Sequence, residues 1–190
     1  MTLTVRPLTA ERWEDLVALF GPSGAYGNCW CTWWRQTGTQ FGAGCADQGA
    51  GNRALLRRLA DEGRQPGLIG YRDDRPVGWV SVAPLDEFGR ILRSPTLKPE
   101  RLLPGTWAIV CFFIPHAERG SGVATELLRA AVEAAREAGA ARLEAYPVDT
   151  AGGRHDAAGL FTGTLGMFTA AGFSEVRRRL ERQPVVALEL

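Results

Sequence analysis

Two glycines, one residue apart, stand directly before a run of strong helix formers, in Arg119-Gly-Ser-Gly-Val-Ala124. The first turn of a helix leaves backbone N–H groups without partners, and the helix dipole adds partial positive charge there. Glycines let such a backbone approach a bulky anion closely, so the guest that suits this turn is a phosphate or pyrophosphate. The same two glycines would equally close a plain solvated loop. The stretch is neither the Gly-x-Gly-x-x-Gly of a dinucleotide site nor a P-loop, which would need Gly-Lys-Ser/Thr.

Other reactive side chains are sparse. Cys29, Cys31, Cys45 and Cys111 do not follow a zinc spacing, and Cys111 falls inside an apolar strand pattern, which argues for reduced thiols and against both a metal and a disulfide framework. An apolar setting raises a thiol pKa, so Cys111 reads as packing. His116 and His155 lie in loops. Residues 21–51 carry eight glycines together with Tyr26, Trp30, Trp33, Trp34 and Phe41, a combination that suits either a lid over a site or a piece of irregular core.

The elements that must position these residues can be read from periodicity. Residues 107–114 are a short β-branched and aromatic run, a buried strand. Ala124, Leu127, Leu128, Ala131, Ala135 and Ala138 recur at three- and four-residue steps, giving a helix over 123–138 that Gly139 stops. Upstream, the pattern gives a strand over 3–8 and a helix after Thr9 with Trp13, Leu16, Val17 and Phe20 on one face. A second helix over 52–62 and a hairpin of 66–72 and 76–83 follow. The polar, proline-marked stretch 86–104 reads as a surface connection. Downstream come a strand over 141–147, a helix over 161–171 and strands over 173–180 and 185–190.

With 190 residues, 45% hydrophobic and 23% charged, the chain is expected to form a single domain, 1–190, of mixed α/β class. A formal net charge of +1 offers no electrostatic footprint for nucleic acid or a membrane surface. No apolar run reaches the length of a membrane span and the first residues lack a signal-peptide layout, so a cytoplasmic location is expected.

Arg119-x-x-Gly122-x-Ala124 behind an apolar strand resembles the acetyl-CoA signature of the GNAT N-acetyltransferases, and Gly172-Phe173 resembles the Gly-Phe that ends that family's last helix. The resemblance implies the GNAT fold: a mixed, mostly antiparallel sheet whose fourth and fifth strands, here 107–114 and 141–147, splay apart between flanking helices. It implies acetyl-CoA as cosubstrate, no metal, and transfer of the acetyl group to a primary amine of a small molecule, or of a peptide. A non-catalytic acyl-CoA-binding module of the same fold is the alternative. The main chain of Phe112, Phe113 and Ile114 would pair with the pantetheine arm, with an N–H near Phe112 or Phe113 on the thioester carbonyl. Arg119, Gly120, Ser121, Gly122, Val123, Ala124 and Thr125 would hold the pyrophosphate.

The family's proton-transfer positions are not kept. The tyrosine four residues before Gly-Phe is Phe168, and the glutamate of the splayed strand is Ala108. The family's proline also falls one place early, at Pro115. Asp156, ahead of the last helix, and Tyr146, at the end of the fifth strand, are the substitutes within reach, with Glu144 on the face of Tyr146. In the family layout the acceptor would meet Tyr26, Trp30, Trp33 and Trp34, whose faces suit a cationic amine. Pairing of the final strands would allow a homodimer.

Overall fold

The computed structural model of the chain describes residues 3–151 and 156–190. Among them, seven strands form one sheet: β1 (Thr4–Pro7), β2 (Leu68–Arg72), β3 (Arg75–Pro84), β4 (Thr106–Phe113), β5 (Arg142–Ala145), β6 (Ser174–Arg177) and β7 (Val185–Glu189). Their order is β1-β2-β3-β4-β5-β7-β6, antiparallel throughout except where β4 lies parallel to β5. The β2–β3 hairpin turns on Asp73 and Asp74, both at positive φ, a backbone that matches the right-handed twist of the strands it joins.

Six helices flank the sheet: α1 (Trp13–Phe20), α2 (Gly38–Gly44), α3 (Ala46–Asp61), α4 (Gly89–Arg93), α5 (Val123–Glu137) and α6 (Leu165–Ala170), among the described residues. The apolar stripe of α5 buries Leu127, Leu128, Ala131 and Ala135 against Val80, Val82, Ile109 and Leu143 on one face of the sheet. On the other face α1 and α3 press Leu16, Phe20, Leu56 and Leu59 against Trp79, Ala83 and Val110. None of the described helices is long and apolar enough to cross a membrane.

Strand β4 carries the feature that matters most for the site. Its register against β3 slips between Ser81↔Cys111 and Val82↔Ile109, which leaves Val110 as an extra residue in a β-bulge. Strict alternation would place Cys111 with Ile109, facing α5. The bulge instead puts Val110 and Cys111 together in the α1 and α3 core and returns Phe112 to the α5 side. Beyond the bulge β4 also loses its other neighbour. The β4–β5 ladder runs from Thr106↔Arg142 to Ile109↔Ala145 and stops there, so the second half of β4 is paired only with β3. This is the splay.

Two sequence expectations are corrected. Residues 86–104 are not merely a surface connection: they hold α4, with Phe88 and Ile91 fully buried and Leu97 nearly so. Each such side chain contributes about 1.5–3 kcal/mol by leaving water, so the segment belongs to the core despite its prolines. The irregular stretch 21–51 contains α2, which starts with a capping box: Thr37 Oγ1 accepts from the Gln40 N–H while the Gln40 side chain caps the Thr37 N–H. Glycines at three of its seven positions hide this helix from a propensity reading.

Candidate active site

The turn between β4 and α5 is held from below. Glu118 is buried and receives Arg72 at 2.5 Å and Arg75 at 2.6 Å, and the Arg75 guanidinium, seconded by Arg72, holds its carboxyl below the usual range. The Ser121 hydroxyl donates to the Glu118 carbonyl at 2.6 Å, tying the turn to that anchor. Gly120 and Gly122 have φ of 76° and 84°, and a Cβ on either would meet nothing within 4 Å. They are therefore required by backbone conformation, and the space beside them is open.

The consequence is a run of unused donors. Across Gly120, Ser121, Gly122, Val123, Ala124 and Thr125 no backbone N–H has an acceptor among the described residues; the first bond of the helix is Glu126 N–H to Gly122 C=O. Six consecutive free donors at the positive end of a fifteen-residue helix form an anion seat. Arg119 is exposed beside it, its Nε donating to the Ile114 carbonyl at 3.1 Å.

From this turn a cleft of about 1210 Å³ runs into the splay. One wall contains Phe112, Phe113, Ile114, Arg119, Gly120 and Ala124, which brings six of the ten residues expected to meet the cosubstrate onto one surface. The opposite wall is Tyr26, Cys29, Cys31, Trp33, Trp34 and Phe41, and the third is Asp156, Leu160, Phe161, Gly163, Thr164 and Met167. The lining is largely apolar with a few polar groups, the usual composition of a small-molecule site.

The expected acceptor residues separate. Tyr26 is 70% exposed at the cleft wall, and Trp33 also lines the cleft, with the Arg90 guanidinium 3.6 Å above its ring. Trp34 is buried between Tyr146 and Phe161, with ring centroids at 6.4 and 6.3 Å, yet its edge reaches the cleft. Trp30 does not. It stacks on Trp13 at 5.8 Å, packs against Phe20 and is 4% exposed within the α1 core. Gly24 makes room for it, since a Cβ there would fall 2.4 Å from the indole nitrogen.

Of the two proton-transfer candidates, Asp156 lines the cleft and is exposed. Tyr146 is fully buried and absent from the cleft lining; its hydroxyl donates to Glu144 at 3.3 Å, and burial, with the Glu144 charge, pushes its pKa far up. Glu144 is itself enclosed and held by Arg142 and Arg177 at 3.4 and 3.3 Å. Tyr146 and Glu144 thus form a buried polar network behind Trp34 and do not face the reacting space. Phe168 is likewise fully buried, against Phe112 and Phe173. His155 lies outside the described residues.

Of the oxyanion donors expected near Phe112 or Phe113, the Phe112 N–H is in use. Phe112 N–H donates to the Phe161 carbonyl at 2.6 Å, and residues 161–164 sit in the splay, bonded on their other side to Val148 through Gly163 C=O and Leu165 N–H at 2.9 Å each. A cosubstrate pairing with Phe112 must displace that carbonyl.

All four cysteines are free thiols, as expected, but three of them meet at the cleft, which no spacing in the sequence showed. Cys31 Sγ lies 3.1 Å from Cys111 Sγ, and Cys29 interacts with Cys31 both through its thiol and through the Cys31 N–H at 3.4 Å. Hydrogen bonding from the Cys31 thiol lowers the Cys29 pKa to about 6 against the opposing effect of burial, while its bonds to Cys111 and Cys29 push Cys31 well up. The i, i+2 spacing of Cys29 and Cys31 was visible; their meeting with Cys111 depends on the β4 bulge. No group of metal-ligating side chains of the kind that holds an ion occurs among the described residues.

Residues 29–167 match the Acetyltransferase (GNAT) family, well over half of the chain, and the chain belongs to that family. Solved structures agree on the fold. The PaiA N-acetyltransferase of Thermoplasma acidophilum, solved with coenzyme A, is similar at a TM-score of 0.56 with 11% identity, each chain covered in full. The ribosomal-protein-alanine N-acetyltransferase of Brucella melitensis is similar at 0.55 with 19% identity over 98% of this chain and 99% of its own. An acetyltransferase of Thermus thermophilus gives 0.57 with 17% identity over 100% and 98%. At such identities the likeness speaks for the fold alone. No curated protein matches the chain.

Proposed function

We propose that this acetyltransferase transfers the acetyl group of acetyl-CoA to a primary amine on a small molecule. The observation that carries the reading is the run of six unpartnered N–H groups, Gly120 to Thr125, whose Gly120 and Ala124 line an apolar cleft at the β4–β5 splay. These donors suit the pyrophosphate, and Arg119 beside them suits a further phosphate. The coenzyme A held by the Thermoplasma relative supports the choice of cosubstrate.

Acetyl-CoA supplies the acyl group as an activated thioester; the chain supplies seating, orientation and a place for the proton. The second half of β4, free of β5, offers main-chain groups to an arm laid along it as an added strand. Phe112 N–H, once released from Phe161, is the donor aimed into the splay and polarises the carbonyl. Tyr26, exposed at the cleft wall, offers an aromatic face on which a cationic amine can rest, while Trp33, one face of which already carries the Arg90 guanidinium, bounds the same wall. Asp156 takes the proton that the amine must lose before it attacks. The family's tyrosine position is Phe168, which cannot protonate the leaving thiolate, and an acid is not obligatory, since a thiol with a pKa of about 8.5 leaves as its anion near neutrality.

Two observations favour the alternative of a binding module without turnover: the usual tyrosine position is the buried Phe168, and the carbonyl of Phe161 already occupies the Phe112 donor. Calorimetric titration with acetyl-CoA followed by free-thiol release across a panel of primary amines separates the readings. Binding with release is the expected result. Binding without release from any amine favours the module, and absence of binding refutes both.

A further inference from the structure

The thiols of the cleft have no part in acyl transfer as described above, and their placement is specific. Cys31 and Cys111 are 80 positions apart in the chain, yet their sulfurs stand 3.1 Å from each other. A disulfide bond is about 2.05 Å long, so joining them requires a closure of about 1 Å. Cys111 faces Cys31 only because the bulge at Val110 turns it from the α5 side to the α1 side. Both sulfurs are buried by the protein, at 4% and 6% exposure, but both residues line the open cleft, which gives a small oxidant a path to them. Cys29 lines the same cleft and contacts Cys31, so three of the four cysteines form one chain of neighbours.

We propose that Cys31 and Cys111 are a reversible dithiol–disulfide pair that locks the aromatic wall of the cleft onto β4, and that Cys29 is the thiol that reopens it. In the closing step the two thiols lose two protons and two electrons and form the S–S bond. A peroxide accepts both, and its O–O bond breaks to leave two hydroxyl products, water in the case of hydrogen peroxide. In the opening step the Cys29 thiolate attacks the sulfur of Cys31, and the electron pair of the broken bond leaves with Cys111, which takes up a proton. A dithiol reductant then reduces the Cys29–Cys31 bond and is itself oxidised to a disulfide. The locked state holds residues 29–34, and with them Trp33 and Trp34, against the strand expected to carry the cosubstrate. The cleft is thereby set in one geometry under oxidising conditions and left adjustable under reducing ones.

The test uses the full chain, reduced and then titrated with hydrogen peroxide, digested without reductant and mapped by mass spectrometry. The expected result is a cross-linked peptide pair containing Cys31 and Cys111 within one chain, reversed by dithiothreitol. The melting temperature should rise on the order of 10 °C, because the bond closes a long loop. Cys29→Ser should leave closing intact and slow reopening by about tenfold. Cys45→Ser should change neither. Oxidation confined to Cys29 or Cys45, or a bond joining two chains, would overturn the proposal, as would reopening at the wild-type rate in Cys29→Ser. The mapping needs neither acetyl-CoA nor an amine, so its failure and the failure of the transferase reading are distinct results.

Discussion

The two long walls of the cleft are built on opposite principles. The wall from Phe112 to Thr125 works through its main chain: glycines at positive φ, six free N–H groups and a strand edge left open by the splay. The facing wall from Tyr26 to Phe41 works through side chains, with rings and thiols fixed by packing and by a backbone at positive φ in Ala25, Asn28, Trp30 and Cys31. On the proposed reading, the first wall meets what is common to every turnover, an anion and an extended arm. The second is where this chain can be particular. A substitution in the first should therefore strike the cosubstrate, and one in the second should strike either stability or the acceptor, according to how deeply the ring is packed.

The largest expected effect is on the main-chain wall. Gly122→Glu puts a side chain and a negative charge where the donors converge and should weaken acetyl-CoA binding by about 100-fold or more, which is about 2.7 kcal/mol. The cost to the fold is the strain of a non-glycine residue at φ 84°, roughly 1–2 kcal/mol, because no atom lies within 4 Å of the new Cβ. Titration calorimetry and thermal unfolding on the same preparation check both halves. Unchanged affinity would remove the pyrophosphate from this turn.

Next come the two tryptophans that sequence grouped together. Trp30→Ala empties a core site stacked on Trp13 and should cost roughly 3–5 kcal/mol of stability, with the acceptor KM little changed. Trp33→Ala, at a ring 37% exposed, should leave stability within about 1 kcal/mol and raise the acceptor KM. Denaturant unfolding and steady-state kinetics distinguish them; a reversal of the two effects would move the acceptor to the other side of α1.

The contrast between these rings shows what was legible. Period and composition located β4, α5, Gly139 and the hairpin, because each is a local statement about which residues fit which backbone. The free donors of the turn followed from the same local logic. The aromatic wall did not, since whether Trp30 or Trp33 reaches solvent is decided by Gly24, Trp13 and Phe20, partners separated from them in sequence and joined only by the fold. Tyr146 is set back from the cleft for a related reason. Alternation along β5 gave its face correctly, but the face is closed by Trp34 and by the Glu144 network. Cys111 depended on one extra residue in β4, and no periodicity announces a bulge.

A smaller effect concerns pH. Cys29, lowered from 9.0 to about 6 by the Cys31 thiol, is mainly thiolate at neutrality. Its alkylation by iodoacetamide should fall as pH drops through 6 and level off above 7, where an ordinary cysteine would still be accelerating towards 9. Removing the donor, as in Cys31→Ala, should move the midpoint up. The smallest effect is at the cap of α2: Thr37→Ala should cost about 1 kcal/mol, read by unfolding, and leave acetyl-CoA affinity unchanged.

The central claim is that the chain seats the pyrophosphate of acetyl-CoA on the backbone of one turn. Titrating the isotope-labelled protein with acetyl-CoA and following the backbone amides by nuclear magnetic resonance tests it most directly. The largest shifts are expected at Gly120 to Thr125, with a second group at Phe112 and Phe161 as their hydrogen bond opens. Saturable shifts that leave the amides of Gly120 to Thr125 in place would contradict it.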